Sequence, residues 1–237
     1  MTPAKQGQWD LDLLGHWELR LGGELIEVAP RQQRIIAALA LLGTRPRGVL
    51  AELLWPATPE SKAAGNLRTG MWKITHDLPG LLCTSHDSLA LAPRVSVDWQ
   101  RMQERICSIE APTTAPDPAD IAFLENAVLL PGWYDDWVIA EQERSNTRRL
   151  RALESLARKF LASGDGTRCA EAAGVAASIE PLRESPVQLI VQGHISTGNY
   201  YPALRAFEDF RALLTDELGV EPSPRLQHLI AEITVGR

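Results

Sequence analysis

The chain opens with a two-residue rhythm. In "LDLLGHWELRLGGELIEVA", Leu13, Gly15, Trp17, Leu19 and Leu21 share one parity, while His16, Glu18 and Arg20 take the other. Alternation around the pair Gly22-Gly23 predicts a β-hairpin. The rhythm then becomes helical. Pro30 opens a helix, because its missing N–H costs nothing in a first turn. Ile35, Ile36, Leu39 and Leu42 line its buried side and Gly43 ends it. "RGVLAELLWP" predicts a second short helix, packed through Val49, Leu50, Leu53 and Leu54 and stopped before Pro56. Thr58 is placed to cap a third, with Pro59 at its first position and Glu60 in its first turn. Leu67, Met71, Ile74 and Leu78 follow at intervals of 4, 3 and 4, one continuous apolar stripe. Pro79-Gly80 terminates that helix. "LLCTSHDSLALAP" then predicts two short strands around a His-Asp-Ser turn. Three short helices followed by a two-stranded hairpin make a winged helix-turn-helix, whose third helix is free to enter a groove.

The second half has a different character. "SVDWQRMQERICSIE" reads as helix, and "APTTAPDPAD", with three prolines, as loop. From Trp137 onward the period is helical, with breaks at "ASGD" and "STGN" whose glycines, Gly164 and Gly198, are 34 residues apart. The flanks match at the same offset: Leu161 with Ile195, Ala170 with Leu204, Ala173 with Phe207. Pro181 falls 17 residues after Gly164, where such a repeat ends its second helix. A 34-residue helix–turn–helix period is the tetratricopeptide signature. The small residues Ala172, Ala173, Ala176 and Ala177 suit close helix packing.

The expected fold class is therefore an α+β N-terminal winged helix-turn-helix followed by an all-α tetratricopeptide-like domain. The boundary is expected near residue 97, giving 1–97 for DNA binding and 98–237 for the helical module. The 237 residues, 45% hydrophobic and 23% charged, suit two globular domains. "MTPAKQGQWD" has no apolar run, so no secretory signal is expected, and no segment approaches a membrane span. Cys83, Cys107 and Cys169 are distant and odd in number, which argues against a disulfide framework or a zinc site and fits a reducing cytoplasm. The net charge of −6 is unevenly spread. Residues 1–100 hold 10 basic and 10 acidic residues, and the remainder hold 14 and 20, so all the excess acid lies in the second half. A DNA-binding first half would have a weak electrostatic footprint.

Catalytic constellations are absent from the sequence: no glycine-rich phosphate loop, no paired metal ligands, no nucleophile elbow. No cofactor is expected and the chain reads as a non-enzyme. His16, His76, His86, His194 and His228 are not at ligand spacing. Asp135 and Asp136 in "WYDDW" are adjacent, so their carboxylates point apart, and Asp136 reads as the cap of the helix beginning at Trp137. The run "RSNTRRLR" is either a basic patch or a solvated helix face paired with Glu141, Glu143 and Glu154; the second reading is preferred.

The chemistry that remains is on the third helix. In "AGNLRTGMWKITHDLP", Arg68, Thr69, Trp72, Lys73 and His76 fall 3 and 4 apart and make one strip opposite the apolar stripe. Arg and Lys reach guanine edges or phosphates, and Thr bonds either. Trp72 must cover something: the wing, or sugar and thymine methyl. Gly70 is read on this same outer side, where a close approach to a ligand would suit it. The strip carries no acid between Glu60 and Asp77, unlike an ordinary solvated face. Arg94, just after the wing's second strand, and Arg45 and Arg47, before the second helix, are candidate phosphate contacts.

The hairpin with "PRQQRIIAALAL", "VLAELLWP" and "AGNLRTGMWKI" resembles the DNA-binding half of the SARP family, antibiotic regulatory activators of actinobacteria. The second half resembles their bacterial transcriptional activation domain through "LLPGWYDDWV", "EPLRES" and "LLTDELGVEPSP". The resemblance covers residues 11–234 in the family's order. It implies a transcriptional activator of secondary-metabolite genes that binds promoter DNA repeats, self-associates there, and contacts RNA polymerase through its sigma and alpha subunits. One departure stands out: where the family's third helix continues rich in arginine, this chain has "KITHD". The alternative reading is a protein-interaction adaptor that kept the fold and lost DNA binding.

Overall fold

The computed structural model describes residues 7–85 and 87–235, with side chains to Ala231. His86, in the predicted wing turn, lies outside the described residues. The chain divides into two compact units, residues 1–103 with 128–142, and residues 104–127 with 143–237.

The first unit begins with β1 (Trp9–Asp12), β2 (Glu18–Leu21) and β3 (Glu24–Leu25). Gly22 (φ 59) and Gly23 (φ 87) both have positive φ and make the tight β2–β3 turn, the geometry that matches strand twist in a two-residue hairpin. The predicted alternation does not run unbroken from Leu13. It stops at Gly15 (φ 80), and Trp9, Leu11 and Leu19 face the core from paired strands β1 and β2. The sheet is completed by β7 (Val95–Val97), which runs parallel to β1 with Trp9 opposite Val95 and Leu11 opposite Val97. Its order is β3-β2-β1-β7. A parallel pair needs a long crossover, and here the crossover is the helical core and wing.

That crossover contains α1 (Pro30–Leu42), β4 (Arg45–Pro46), α2 (Arg47–Leu54), α3 (Glu60–Asp77), β5 (Leu82–Thr84) and β6 (Ser88–Leu91). Helix α1 begins at Pro30 and closes at Gly43 (φ 73), with Ile35, Ile36 and Leu39 buried. Helix α2 packs through Leu50, Ala51 and Leu54. Val49, expected inside, is exposed, because its position on the 3.6-residue turn faces away from α1 and α3. Helix α3 starts at Glu60 with Pro59 as its cap residue and no side-chain cap. Thr58 therefore does not cap it: the extended backbone of Pro59 occupies that position. The three-stranded wing has the order β4-β6-β5.

Helix α4 (Asp98–Glu110) follows β7 directly. The Asp98 carboxylate accepts from the N–H of Leu13 (2.9 Å) and Leu14 (2.9 Å), tying the helix start to the end of β1. Burial raises the Asp98 carboxyl above its ordinary range despite these donors. Residues 128–142 return to the first unit. Leu130 N–H donates to Leu13 O, Gly15 N–H to Val128 O, and Arg34 meets Asp135 at 2.5 Å. The Asp135 side chain is thus committed to α1. Helix α6 (Asp136–Ala162) takes Asp136 in its first turn rather than as the residue before it.

The second unit comprises the end of α4, α5 (Ala119–Asn126), the rest of α6, α7 (Gly166–Ile179), α8 (Glu184–Ser196), α9 (Tyr200–Leu218) and α10 (Pro224–Val235). The 34-residue offset appears as geometry: Gly164 (φ 83) and Gly198 (φ 74) make the same left-handed turn, and Ala173 and Phe207 are both buried. Arg149, within the run read as a solvated face, is buried, and donates to the carbonyls of Leu124 (2.8 Å) and Glu125 (2.9 Å) at the end of α5. Those carbonyls lack helical partners, and one guanidinium satisfies both. Glu154 is also buried, and binds Arg158, Arg183 and Ser185.

Candidate nucleic-acid interface

Helix α3 carries two chemically distinct sides. Ala63, Leu67, Gly70, Met71 and Ile74 are buried. Arg68, Thr69, Trp72, Lys73 and His76 are all exposed, as the strip predicted. Gly70 does not belong to that strip. It faces inward, where a Cβ would stand 2.4 Å from Cδ1 of Ile35 on α1. The close approach that this glycine permits is between two helices of the fold.

On the outer side, Trp72 is 63% exposed and its ring stacks on His76, with centroids 5.3 Å apart and planes 4° from parallel. The stack shields one face of each ring and leaves an extended flat surface. Thr69 Oγ1 donates to the Gly65 carbonyl one turn back, at 3.0 Å, so its methyl and a hydroxyl lone pair face outward. Among the described residues, Arg68 and Lys73 have no hydrogen-bond partner. Cations without internal partners keep their donors for a ligand.

The three other candidate arginines differ. Arg47 begins α2, where its N–H donates to Asp87 O and its guanidinium to Ser85 O at 3.3 Å, tying it to the wing turn. Arg47 and Arg68 also line one notch of about 160 Å³ with Ala64, Leu67 and Met71. The fold therefore brings together two cations that are 21 residues apart in sequence. Arg45 lies half-buried in β4 opposite Leu89 and donates to Thr44 O. Arg94 reaches back to the turn after α3, donating from Nε and a terminal nitrogen to Gly80 O, each at 3.3 Å. Gly80 (φ 79) leaves the room for it.

The strip extends further than the sequence reading took it. Lys62 is exposed, and Lys62, Thr69 and His76 recur at seven-residue intervals, two turns apiece. That spacing was the available signal. Among the described residues, no group of three or more His, Cys, Asp or Glu side chains converges as a metal site, and no helix is long and apolar enough to cross a membrane.

Residues 122–234 match the family described as "BTAD: Bacterial transcriptional activator domain". The chain is 28% identical over 222 residues to "Regulatory protein AfsR" of Streptomyces coelicolor, covering 89% of this chain and 22% of that protein. It is 26% identical over 242 residues to "Regulatory protein AfsR" of Streptomyces griseus, covering 96% and 24%. The chain thus spans about a quarter of the length of these relatives. Among solved structures it is similar in fold to "Mycobacterium tuberculosis EmbR in complex with low affinity phosphopeptide", with a TM-score of 0.76 and 19% identity, covering 98% of this chain and 66% of that one. The helical half thus matches the bacterial transcriptional activator domain, and the chain as a whole is similar to regulatory proteins of the SARP kind.

Proposed function

We propose that the chain is a cytoplasmic, non-enzymatic transcriptional activator whose first unit binds repeated promoter elements as a self-associating protein. In this reading the outer side of α3 enters the major groove. Arg68 and Lys73 contact base edges, Thr69, Trp72 and His76 support them, and Lys62 meets a phosphate. Arg45, Arg47 and Arg94 hold the backbone. Arg47 and Arg94 would exchange long bonds to Ser85 O and Gly80 O for charge-assisted bonds to phosphate, which are shorter and stronger. The helical half engages RNA polymerase through its sigma and alpha subunits, and the controlled genes serve secondary metabolism.

The observation that carries this reading is the exposed side of α3, with its cations unpartnered and no acidic side chain between Glu60 and Asp77. The neutral charge of residues 1–100 favours a second reading, an adaptor that kept the fold and lost DNA binding. One experiment separates them: a gel shift of the full chain with its own upstream region, titrated against salt. An activator of this kind gives a sequence-specific shift whose log affinity falls with log salt at about −0.9 per neutralised phosphate, with a shallow total slope. No specific shift at low salt leaves the adaptor reading standing.

A further inference from the structure

A cationic pocket lies in the second unit. It has a volume of about 400 Å³ and is lined by Arg158, Leu161 and Ala162 of α6, Ser185, Gln188, Leu189 and Gln192 of α8, and Arg225 of α10. No carboxylate lines it, although residues 101–237 hold 20 acidic residues against 14 basic ones. Arg158 and Arg225 carry its charge, and Leu161, Ala162 and Leu189 supply its apolar lining.

The fold holds these groups in place. Glu154 accepts from Arg158 (2.8 Å), Arg183 (2.9 Å) and Ser185 (2.5 Å), which fixes the Arg158 stem. The Arg158 side chain is still 56% exposed. Glu184, which interacts electrostatically with Arg225, spends its hydrogen-bonding capacity on Ser223 N–H and Oγ and on Gln188. Among the described residues, Arg225 and Gln192 have no hydrogen-bond partner. The pocket therefore presents one guanidinium with free donors, a second that is partly free, an unpaired amide and an apolar lining.

We infer that this pocket binds an acidic–apolar peptide segment of a partner protein, with carboxylates on Arg158 and Arg225 and a leucine-like side chain against the apolar lining. Guanidinium and carboxylate match in bidentate geometry. The volume lies within the range of about 300–1,000 Å³ typical of pockets that enclose a compact ligand. The apolar lining and the small volume favour a peptide, which offers carboxylates beside a compact apolar side chain, over nucleic acid, whose charge runs along an extended backbone. The inference does not rest on the DNA reading, since none of its residues belongs to the first unit.

The test uses a phage library of random octapeptides panned on the full-length chain, with the Arg225→Glu variant as counter-selection. Enriched sequences should pair Asp or Glu with Leu, Ile or Phe. The best of them, synthesised with a fluorescein label and followed by anisotropy, should bind Arg225→Glu about tenfold more weakly or worse, the scale of one charge-assisted hydrogen bond. Gln192→Glu, which introduces a carboxylate into the lining, should also weaken it, while Asn in place of its acidic residues should abolish binding. Neither replaced side chain makes a hydrogen bond within the protein, so both variants should fold, which a parent-like far-UV circular dichroism spectrum checks. No enrichment, an enriched set without acid, or parent-like affinity for both variants overturns the inference. So does a nonspecific DNA duplex that binds the parent and loses affinity with Arg225→Glu while no peptide binds.

Discussion

Gly70 of α3 lies against Ile35 of α1 so closely that a Cβ on the glycine would stand 2.4 Å from the isoleucine Cδ1. Ile35 is fully buried, so that methyl has little space to leave. A Gly70→Ala change gains about 1 kcal/mol of helix propensity and meets an overpacking cost of about 1–3 kcal/mol. The expected net result is a loss of about 1 kcal/mol in urea unfolding. Ile35→Val, which deletes Cδ1, should cost about 0.5–1.5 kcal/mol by itself. Combining the two should recover at least about 1 kcal/mol relative to additivity. Additive behaviour would mean that Gly70 is not needed for this contact.

On the outer side of the same helix, Arg68→Ala or Lys73→Ala should weaken specific promoter binding by about 1–3 kcal/mol if each contacts a base edge. Lys62→Ala should instead weaken binding to all sequences alike and make the salt slope shallower by about 1. Circular dichroism should be unchanged in all three. Parent-like binding by both Arg68→Ala and Lys73→Ala would remove α3 as the reading element.

Glu154 makes the stability of the helical half depend on pH. Burial raises its carboxyl, but hydrogen bonds from Ser185, Arg183 and Arg158 outweigh this and hold it below the ordinary value of 4.5. A group depressed in the folded state stabilises above its unfolded value, and that contribution is lost as pH falls through the folded one. The melting temperature should therefore fall as pH drops below about 4.5, the ordinary glutamate value. Glu154→Gln should cost about 1–3 kcal/mol at pH 7, and the parent–variant difference should shrink toward pH 3. A difference that is constant with pH would show that Glu154 does not act through its charge.

Arg34 and Asp135 form an ion pair in which each side chain is 28% exposed. Asp135→Ala should cost about 1 kcal/mol or more, above a typical surface pair because both groups are mostly shielded. A fragment ending at Val97 lacks this aspartate and the strand-like return through Val128 and Leu130. It should unfold at a lower temperature than the first unit of the full chain, as followed by hydrogen exchange in β1. Equal protection of Leu11 in both would mean that residues 128–142 contribute nothing.

Features with strong local periodicity were legible in the sequence: α1, the stripe of α3, the wing strands, and the repeat marked by Gly164 and Gly198. The parallel pairing of β1 with β7 was not. "RVSV" is too short to show a period, and its partner lies 86 residues earlier. The return of residues 128–142 was hidden for the same reason. Gly70 was misplaced because a stripe counted through Leu67, Met71 and Ile74 passes over the position between them. Arg149 was misread because a charged run looks the same in sequence whether its guanidinium meets water or two orphan carbonyls. Of the candidate interface, the exposure of all five α3 positions was legible, but the notch shared by Arg47 and Arg68 depends on the packing of α2 against α3.

The return of residues 128–142 also sets an order of events during synthesis. Arg34 and Asp135 are 101 residues apart, so at about 5–20 residues per second the ribosome takes roughly 5–20 s to deliver the second after the first. During that interval the rest of α1, α3 and the wing are made without the segment whose Asp135 pairs with α1. The first unit is thus begun early and braced late. Its completion waits on translation of α5, an element of the other half, so a nascent chain stalled before residue 128 would carry a first unit that lacks this brace.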